Sequence, residues 1–142
     1  MSNYYAYSRT NYFRVTDEEK YAELFSHLIG SEDSVEDFTE EKDGIKIHGF
    51  GCSSSIDFVV SAPDAEDPEY DFDFFLKELQ KIIPEDEAFI FTEIGHEKLC
   101  YLTGCSIIVT KGKIEMIDLR SDSISKAREM LGNDKFDTQL EY

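Results

Sequence analysis

Carboxylate side chains are the part of this sequence with the greatest capacity for chemistry, and they are concentrated in one segment. Between Ser31 and Phe75 the chain carries 14 acidic residues against two lysines, a net charge of −12 within a total of −17. A field of this sign attracts basic partners, whereas nucleic acid and anionic membranes both require a positive surface. The segment therefore predicts a surface that binds a basic protein, and no direct binding to nucleic acid or membrane.

Twelve acids of this segment form the predicted partner-binding set. Carboxylates two residues apart in a strand lie about 6.6–6.8 Å apart on one face, and duplex DNA carries one charge per about 1.7 Å of its axis. Spaced carboxylates can therefore imitate the potential that a DNA-binding protein recognises, although an acidic face that only keeps the chain soluble has the same composition. The set consists of Glu32, Asp33, Glu36, Asp37, Glu40, Glu41, Asp64, Glu66, Asp67, Glu69, Asp71 and Asp73.

Metal binding is a second use of acidic and histidine side chains, and their spacing does not favour it. The acid-rich stretch Asp64–Asp73 lacks the central glycine of a calcium-binding EF-hand loop. His27, His48 and His96 are scattered over a predicted helix, strand and turn, whereas a zinc site needs convergent ligands. We predict neither a bound metal nor a cofactor.

Cysteine is the remaining candidate nucleophile. Cys52, Cys100 and Cys105 are an odd number without a C-x-x-C pair, which is typical of small buried residues in a reducing compartment. Cys52 follows His48 by four residues, about 13 Å along an extended strand and beyond hydrogen-bond reach. Because no nucleophile, base or metal set converges, we predict no catalytic residues and a protein that is not an enzyme.

Two amphipathic helices are the clearest elements that position these residues. Thr16 and Glu19 have the spacing of a capping box and start the first helix. Gly30 stands where a left-handed C-cap would end it. The second helix begins at an Asp71 cap and ends before Pro84, because a residue that precedes proline avoids the α region.

Strands fill most of the remaining chain. Thr10–Val15 has strand character, and Asp43-Gly44 between two extended runs predicts a hairpin with a type I′ turn. Three strands with short connections follow the second helix and form an antiparallel meander, after which a third helix runs from near Ser121 to Gly132. The residues expected in the core of the meander are Ala88, Ile90, Ile107, Val109, Ile114 and Ile117.

The order of these elements predicts an α+β fold, a two-layer sandwich in which a mostly antiparallel sheet has the helices packed on one face. A chain of 142 residues fits a single domain over residues 1–142, with a core at 10–132 and a polar C-terminal tail at 133–142. The sequence shows no signal peptide and no apolar run long enough for a membrane span, which predicts a cytoplasmic protein. The oligomeric state stays open.

Four stretches of the chain point to a family. They are Arg9–Glu19 (RTNYFRVTDEE), Asp37–Gly44 (DFTEEKDG), Leu79–Glu87 (LQKIIPEDE) and Gly95–Leu99 (GHEKL). Over Arg9 to about Gly132, the chain resembles small acidic accessory proteins carried by conjugative elements and plasmids of Gram-positive bacteria. The resemblance gives no catalytic residues to carry over to this chain. It implies a setting on mobile DNA, where small acidic proteins that defeat restriction or CRISPR defences are common.

Three function classes follow from these observations. The leading hypothesis is a non-enzymatic acidic binding protein of a mobile genetic element that engages a basic partner. Its narrower form is a DNA mimic that inhibits a host-defence nuclease, of the antirestriction or anti-CRISPR type. The alternative is an immunity-type or regulatory protein that neutralises a basic toxin or a conjugation component. A small enzyme is the third class, and no residue set supports it.

Overall fold

The computed structural model describes residues 4–62, 66–97 and 101–136, and of Tyr101 only the backbone. The elements in chain order are β1 (Tyr4–Thr10), α1 (Glu18–Ser26), β2 (Leu28–Gly30), β3 (Glu36–Asp37), β4 (Glu40–Lys42), β5 (Ile45–Ile47), β6 (Phe50–Cys52), β7 (Ile56–Phe58), α2 (Phe72–Ile82), β8 (Phe89–Glu97), β9 (Tyr101–Val109), β10 (Ile114–Asp118) and α3 (Leu119–Leu131).

One large antiparallel sheet organises the molecule. Its strand order is β10-β9-β8-β1-β6-β3, and the pairs β2–β7 and β4–β5 form two small sheets beside it. Every strand pair within these sheets is antiparallel, and strands β8, β9 and β10 form the expected meander. The predicted α+β class, a two-layer sandwich with a mostly antiparallel sheet, is therefore confirmed.

Aromatic side chains fill the space between the sheet and the helices α1 and α2. Phe75 of α2 meets Phe50 and Phe89 of the sheet, with ring centroids 6.1 Å apart in both cases. Phe25 of α1 lies 6.0 Å from Phe50. Fully burying each such side chain stabilises the fold by about 1.5–3 kcal/mol. The largest fully buried side chains are Phe13, Phe50, Phe75, Phe89, Leu79, Ile83 and Val109.

The ends of the first helix differ from the prediction. Its N-cap is Asp17, whose carboxylate accepts the Lys20 backbone N–H at 3.0 Å, and not Thr16. The Thr16 hydroxyl donates instead to the carbonyl of Ile82 at 3.2 Å, so the capping box is replaced by a link to the end of α2. The helix ends at Ser26, with His27 as its C-cap, rather than near Gly30, because β2 begins directly afterwards and pairs with β7.

Other turn and cap predictions are confirmed. Asp43 and Gly44 have φ angles of 54° and 78°, the positive values that a type I′ hairpin turn requires. Asp71 caps α2 by accepting the Phe74 backbone N–H at 3.1 Å. Gly132 ends α3 in the left-handed conformation with φ 63°.

The first strand lies earlier in the chain than predicted. Strand β1 ends at Thr10 and pairs along its whole length with β8, in the middle of the sheet. The pairing stops at Asn11 because its side-chain amide takes over, donating to the carbonyl of Ala88 at 2.9 Å and accepting the N–H of Ile90 at 2.8 Å. Phe13 then forms an isolated bridge with His48.

The second face of the large sheet is covered by neither α1 nor α2. Side chains of β1, β8, β9 and β10 that alternate with the core residues point to this side. Helix α3 starts beside it, and Leu119 lies where a side chain on Gly104 would be. We call this surface the open face. Its large apolar side chains are Tyr5, Tyr7, Ile90, Ile94, Leu102, Ile117 and Leu119.

The open face overturns part of the predicted core. Val109 is fully buried and Ile107 packs against the core, as expected. In contrast, Ile90 and Ile117 lie on the open face and are exposed, and Ile114 is exposed at the β10 edge although it pairs with the buried Val109. Helix α3 has no buried residue, and it meets these strands with Leu119 over Gly104 without burying Ile90 or Ile117. Alternation of apolar residues therefore located the strands without showing which face would be covered.

Three predictions fall wholly or partly outside the described residues. Asp64 and Cys100 lie there, as do residues 137–142 of the predicted polar tail. The described part of that tail turns back on α3, since Arg128 Nε donates to the carbonyl of Phe136 at 2.7 Å and the N–H of Asn133 donates to the carbonyl of Arg128.

Candidate functional site

Eleven of the twelve acids in the predicted set are described, and all eleven are exposed. Segment 31–75 carries only two basic residues, so few positive charges offset them. We call these residues the acidic surface. They are Glu32, Asp33, Glu36, Asp37, Glu40, Glu41, Glu66, Asp67, Glu69, Asp71 and Asp73.

The acids from 32 to 41 lie at the β3 edge of the large sheet and on the hairpin beside it. Strand β3 pairs with β6, placing Glu36 opposite Gly51 and Asp37 opposite Phe50. The chain then enters β4, which pairs with β5 in a separate small sheet and carries Glu40. The three acidic pairs are thus divided among a loop and two short strands, and do not form one evenly spaced row.

The acids from 66 to 73 lie in the segment that leads into α2 and in the first turn of that helix. Tyr70 forms a bridge with Val59, and the N–H of Val60 donates to the carbonyl of Glu69 at 2.9 Å. The N–H of Asp71 in turn donates to the carbonyl of Phe58 at 2.9 Å. This second group is therefore fixed to β7 by backbone hydrogen bonds.

Two open depressions lie beside the acidic surface. One of about 490 Å³ is lined by Glu32 and Asp33 together with Ile29 and Gly30. The other, of about 300 Å³, is lined by the same Ile29 and Gly30 and by Tyr70. Because the depressions share two lining residues, Glu32 and Asp33 of the first group border the same part of the molecular surface as Tyr70, which lies between Glu69 and Asp71 in the chain.

Two members of the acidic surface have structural tasks. Asp37 accepts the Thr39 backbone N–H at 2.9 Å and the Thr39 hydroxyl at 2.5 Å, which fixes the chain between β3 and β4. Asp71 is the N-cap of α2. Their carboxylates are less available to a partner than those of neighbours such as Glu36 and Glu40.

A buried histidine, His48, anchors the acidic hairpin, which is the hairpin of β4 and β5 that carries Glu40 and Glu41. The sequence analysis did not predict this role. His48 is only 4% exposed. Its Nε2 lies 2.8 Å from Oε1 of Glu18 on α1, and its Nδ1 lies 2.9 Å from the hydroxyl of Thr39. Both ring nitrogens therefore have partners. Through them His48, which directly follows β5, is linked to α1 and to the chain between β3 and β4.

The same cluster has the residue types of a carboxylate–imidazole–hydroxyl relay, but the hydrogen bonds run differently. The Thr39 hydroxyl lies within hydrogen-bond distance of Asp37 as well as His48. Because the Thr39 hydroxyl also faces the Asp37 carboxylate, its single proton is not committed to the imidazole, as activation of a nucleophile by His48 would require. The cluster therefore holds three elements together, and no signal in the local sequence connects residues so far apart.

Tyr21 completes the cluster. Its ring lies 4.1 Å from the His48 ring, centroid to centroid, and 5.7 Å from that of Phe13. Burial raises the pKa of Tyr21 well above its ordinary value, and the nearby negative charges of Asp37 and Glu18 add to the effect. The phenol is therefore neutral at neutral pH.

The other residues considered in the sequence do not come together. The Cys52 sulfur lies 3.0 Å from the Ser54 hydroxyl oxygen and 3.2 Å from the Asp33 carbonyl oxygen. His48 has other partners, which are those described above. Burial raises the pKa of the Cys105 thiol, which makes it a poor nucleophile. Within residues 4–62, 66–97 and 101–136, no three His, Cys, Asp or Glu side chains are grouped as a metal site requires.

Comparison of the chain with protein-family models, curated proteins and solved structures finds no match in any of the three. In the described part of the chain, no helix combines the length and the apolar character that crossing a membrane requires.

Proposed function

We propose that the protein is a non-enzymatic binding protein whose acidic surface engages a basic partner protein. The observation that carries the proposal is that the eleven described acids of this surface are all exposed and held on ordered elements. An acidic segment that only confers solubility does not need the buried His48 cluster that fixes it to α1. A surface held in one shape can match the charges of a particular partner.

The position of the charge within the fold supports the same proposal. The acidic surface lies at the β3 edge of the large sheet and around β7, whereas strand β10 forms the opposite edge. From 101 to 131 the chain has five basic and four acidic residues, so that end is nearly neutral. A protein with charge at one end has a directional field, which steers a basic partner toward that end.

The narrower form of the proposal is that the partner handles nucleic acid and that the acidic surface occupies its nucleic-acid site. The setting on mobile DNA, which the family resemblance implies, favours this form. The uneven spacing of the acidic pairs limits it, because the carboxylates do not repeat at one distance as phosphates do. Neutralisation of a basic toxin or conjugation component is the alternative that the same surface permits.

The test is capture of basic partners from a Gram-positive host on immobilised wild-type protein, followed by kinetic measurement with the purified partner. The comparison uses a variant with five carboxylates of the acidic surface replaced by their amides. Asp37 is left unchanged because it holds Thr39. The variant carries Glu32→Gln, Asp33→Asn, Glu36→Gln, Glu40→Gln and Glu41→Gln.

We expect this variant to bind the partner at least roughly ten times more weakly, mainly through a slower association rate. The effect should shrink with added salt, because the Debye length falls from about 10 Å at 0.1 M to about 3 Å at 1 M. A matched control removes the same number of exposed acids elsewhere and should bind like wild type. It carries Glu85→Gln, Glu97→Gln, Glu115→Gln, Glu129→Gln and Asp134→Asn.

Equal weakening by both variants, or by neither, would show that the acidic surface is only a solvated face. Competition separates the two forms of the proposal. If duplex DNA or RNA displaces the protein from its partner, the partner's nucleic-acid site is occupied. If a captured basic partner binds no nucleic acid, the immunity-type alternative is favoured.

A further inference from the structure

The open face is a largely apolar surface in the middle of the large sheet, crossed by one polar row that contains Arg9, Thr92 and Ser106. The strand register places Tyr7 beside Ile94, and Tyr5 and Leu102 on either side of His96. Tyr7 is 60% exposed and Leu102 57% exposed. Because neighbouring strands lie about 4.8 Å apart, these side chains adjoin one another.

An apolar surface of this extent is unusual on a protein that acts alone. Four strands about 4.8 Å apart, seven residues long at β1 and five at β10, cover roughly 19 by 17–24 Å at about 3.4 Å per residue. This is about 320–450 Å² in projection, the polar row included. Contiguous apolar patches beyond a few hundred Å² are rare on monomers and mark interaction sites. A standard interface buries about 800 Å² of accessible surface per partner. Because side chains protrude from the open face, its accessible area is larger than its projected area and comes closer to that value.

The charge around the open face identifies the kind of complement it requires. The chain carries −17 overall, yet residues 101–131 have five basic and four acidic residues. On this face, Arg9 of β1 and Glu115 of β10 lie at opposite margins and carry opposite charges. A basic partner attracted by the acidic surface gains little from a face whose two charges are of opposite sign. The fitting complement is another neutral apolar face.

We propose that the open face binds the open face of a second copy of this chain. Such a contact is self-complementary about a two-fold axis, as in most homodimers. Two sheets pack face to face about 10 Å apart with strands crossing at about 30°. The dimer would have the two sheets inside and the layers of α1 and α2 outside, with the start of each α3, whose Leu119 lies over Gly104, taking part in the contact.

This arrangement also limits repulsion between two acidic chains. The acidic surface lies at the β3 edge and around β7, while the open face lies on β1, β8, β9 and β10. Charges separated by more than a Debye length of about 8–10 Å are largely screened at ordinary salt. Two copies can therefore associate through the neutral face while both acidic surfaces remain free.

The experiment is sedimentation velocity of the full chain over a range of protein concentrations. We expect a dimer with a dissociation constant at or below about 10 µM. Raising the salt from about 0.1 to 0.5 M should tighten the dimer, because screening weakens repulsion while the apolar contact persists.

A variant with Ile94→Lys and Leu102→Lys should raise the dissociation constant roughly 100-fold or more, since each dimer would contain four lysines in its centre. The matched control is Ile45→Lys with Met130→Lys, which charges two exposed apolar residues outside the open face. The control should dimerise like wild type. Far-UV circular dichroism checks that both variants fold, and Leu102→Thr replaces the double variant if it does not.

A wild-type chain that stays monomeric at about 100 µM overturns the proposal, as does an open-face variant that dimerises like wild type. An apolar partner of another kind would give the first result. The outcome is independent of the proposed function, because the variant with five neutralised carboxylates should still dimerise. The Ile94→Lys, Leu102→Lys variant should still associate with a basic partner.

Discussion

Replacing Tyr21 with phenylalanine should make the protein more stable. The Tyr21 side chain is 4% exposed, and within the part of the chain that the structure describes its hydroxyl has no hydrogen-bond partner. A buried polar group without a partner costs about 1–3 kcal/mol, because the hydrogen bonds it makes to water in the unfolded state are lost. Phenylalanine keeps the ring contacts with His48 and Phe13 and removes this cost.

The size of the gain follows from two opposing contributions. Removing the hydroxyl leaves a void of about 15 Å³, which at about 24 cal/mol per Å³ costs about 0.4 kcal/mol. Subtracting this from the cost of the unpaired hydroxyl leaves a net gain of about 0.6–2.6 kcal/mol. For a chain of this size the midpoint of thermal unfolding should rise by roughly 2–8 °C.

The measurement is urea unfolding followed by far-UV circular dichroism, since the chain has no tryptophan for fluorescence. Tyr4→Phe is the matched control, because the Tyr4 hydroxyl lies 2.9 Å from the Thr103 hydroxyl and 3.5 Å from a Glu93 carboxylate oxygen. The same chemical change at Tyr4 should cost about 0.5–1.5 kcal/mol.

The pH dependence of stability gives a second readout of the same variant. Burial raises the pKa of Tyr21 in the folded state, whereas the unfolded tyrosine ionises near pH 10. The stability that depends on the neutral phenol is therefore fully present below about pH 10 and is lost as the pH rises further. Tyr21→Phe should lose less stability than wild type above that pH.

The reasoning is refuted if Tyr21→Phe is less stable than wild type by more than about 0.5 kcal/mol while it still unfolds cooperatively. That result would mean that the hydroxyl has a partner in the folded protein, such as a buried water.

Two further substitutions test the hairpin and the ion pairs. Gly44→Val should destabilise the protein by about 1–2 kcal/mol in urea unfolding, because φ 78° is unfavourable for a β-branched residue, and an unchanged midpoint would contradict the observed turn. Glu78→Gln should reduce the loss of stability on acidification below about pH 4.3. Hydrogen bonds from Lys81 and Lys20 lower the pKa of Glu78, so its stabilising effect is present above that pH and lost as the pH falls. Acid unfolding curves that coincide with wild type would show that these pairs are too solvated to matter.

The elements that the sequence predicted well are those that local chemistry determines. The Asp43-Gly44 turn, the Asp71 cap and the Gly132 C-cap each depend on a few adjacent residues, and all three are present. The acidic residues were also predicted to be exposed, since charged side chains are almost never fully buried without a partner.

What the sequence did not reveal depends on contacts between distant segments. Thr16 satisfies the capping-box pattern, but its hydroxyl donates to Ile82 because the end of α2 lies next to it. Alternation in the meander cannot show whether a second layer covers Ile90 and Ile117. The partners of His48, which fix the acidic hairpin, come from segments that only the fold brings together.

The central position of β1 has a consequence for synthesis of the chain. Its register joins Thr10 to Phe91 and Tyr4 to Glu97, so its main partner strand is made long after it. At about 5–20 residues per second, β1 waits roughly 4–16 s on the ribosome before β8 appears. Pairing over such a separation closes a long loop and is slow. During that interval a tyrosine-rich strand lacks its main partner and can pair only with β6, at Ser8 and Arg9. The net negative charge of the nascent segment that follows it opposes contact between neighbouring nascent chains.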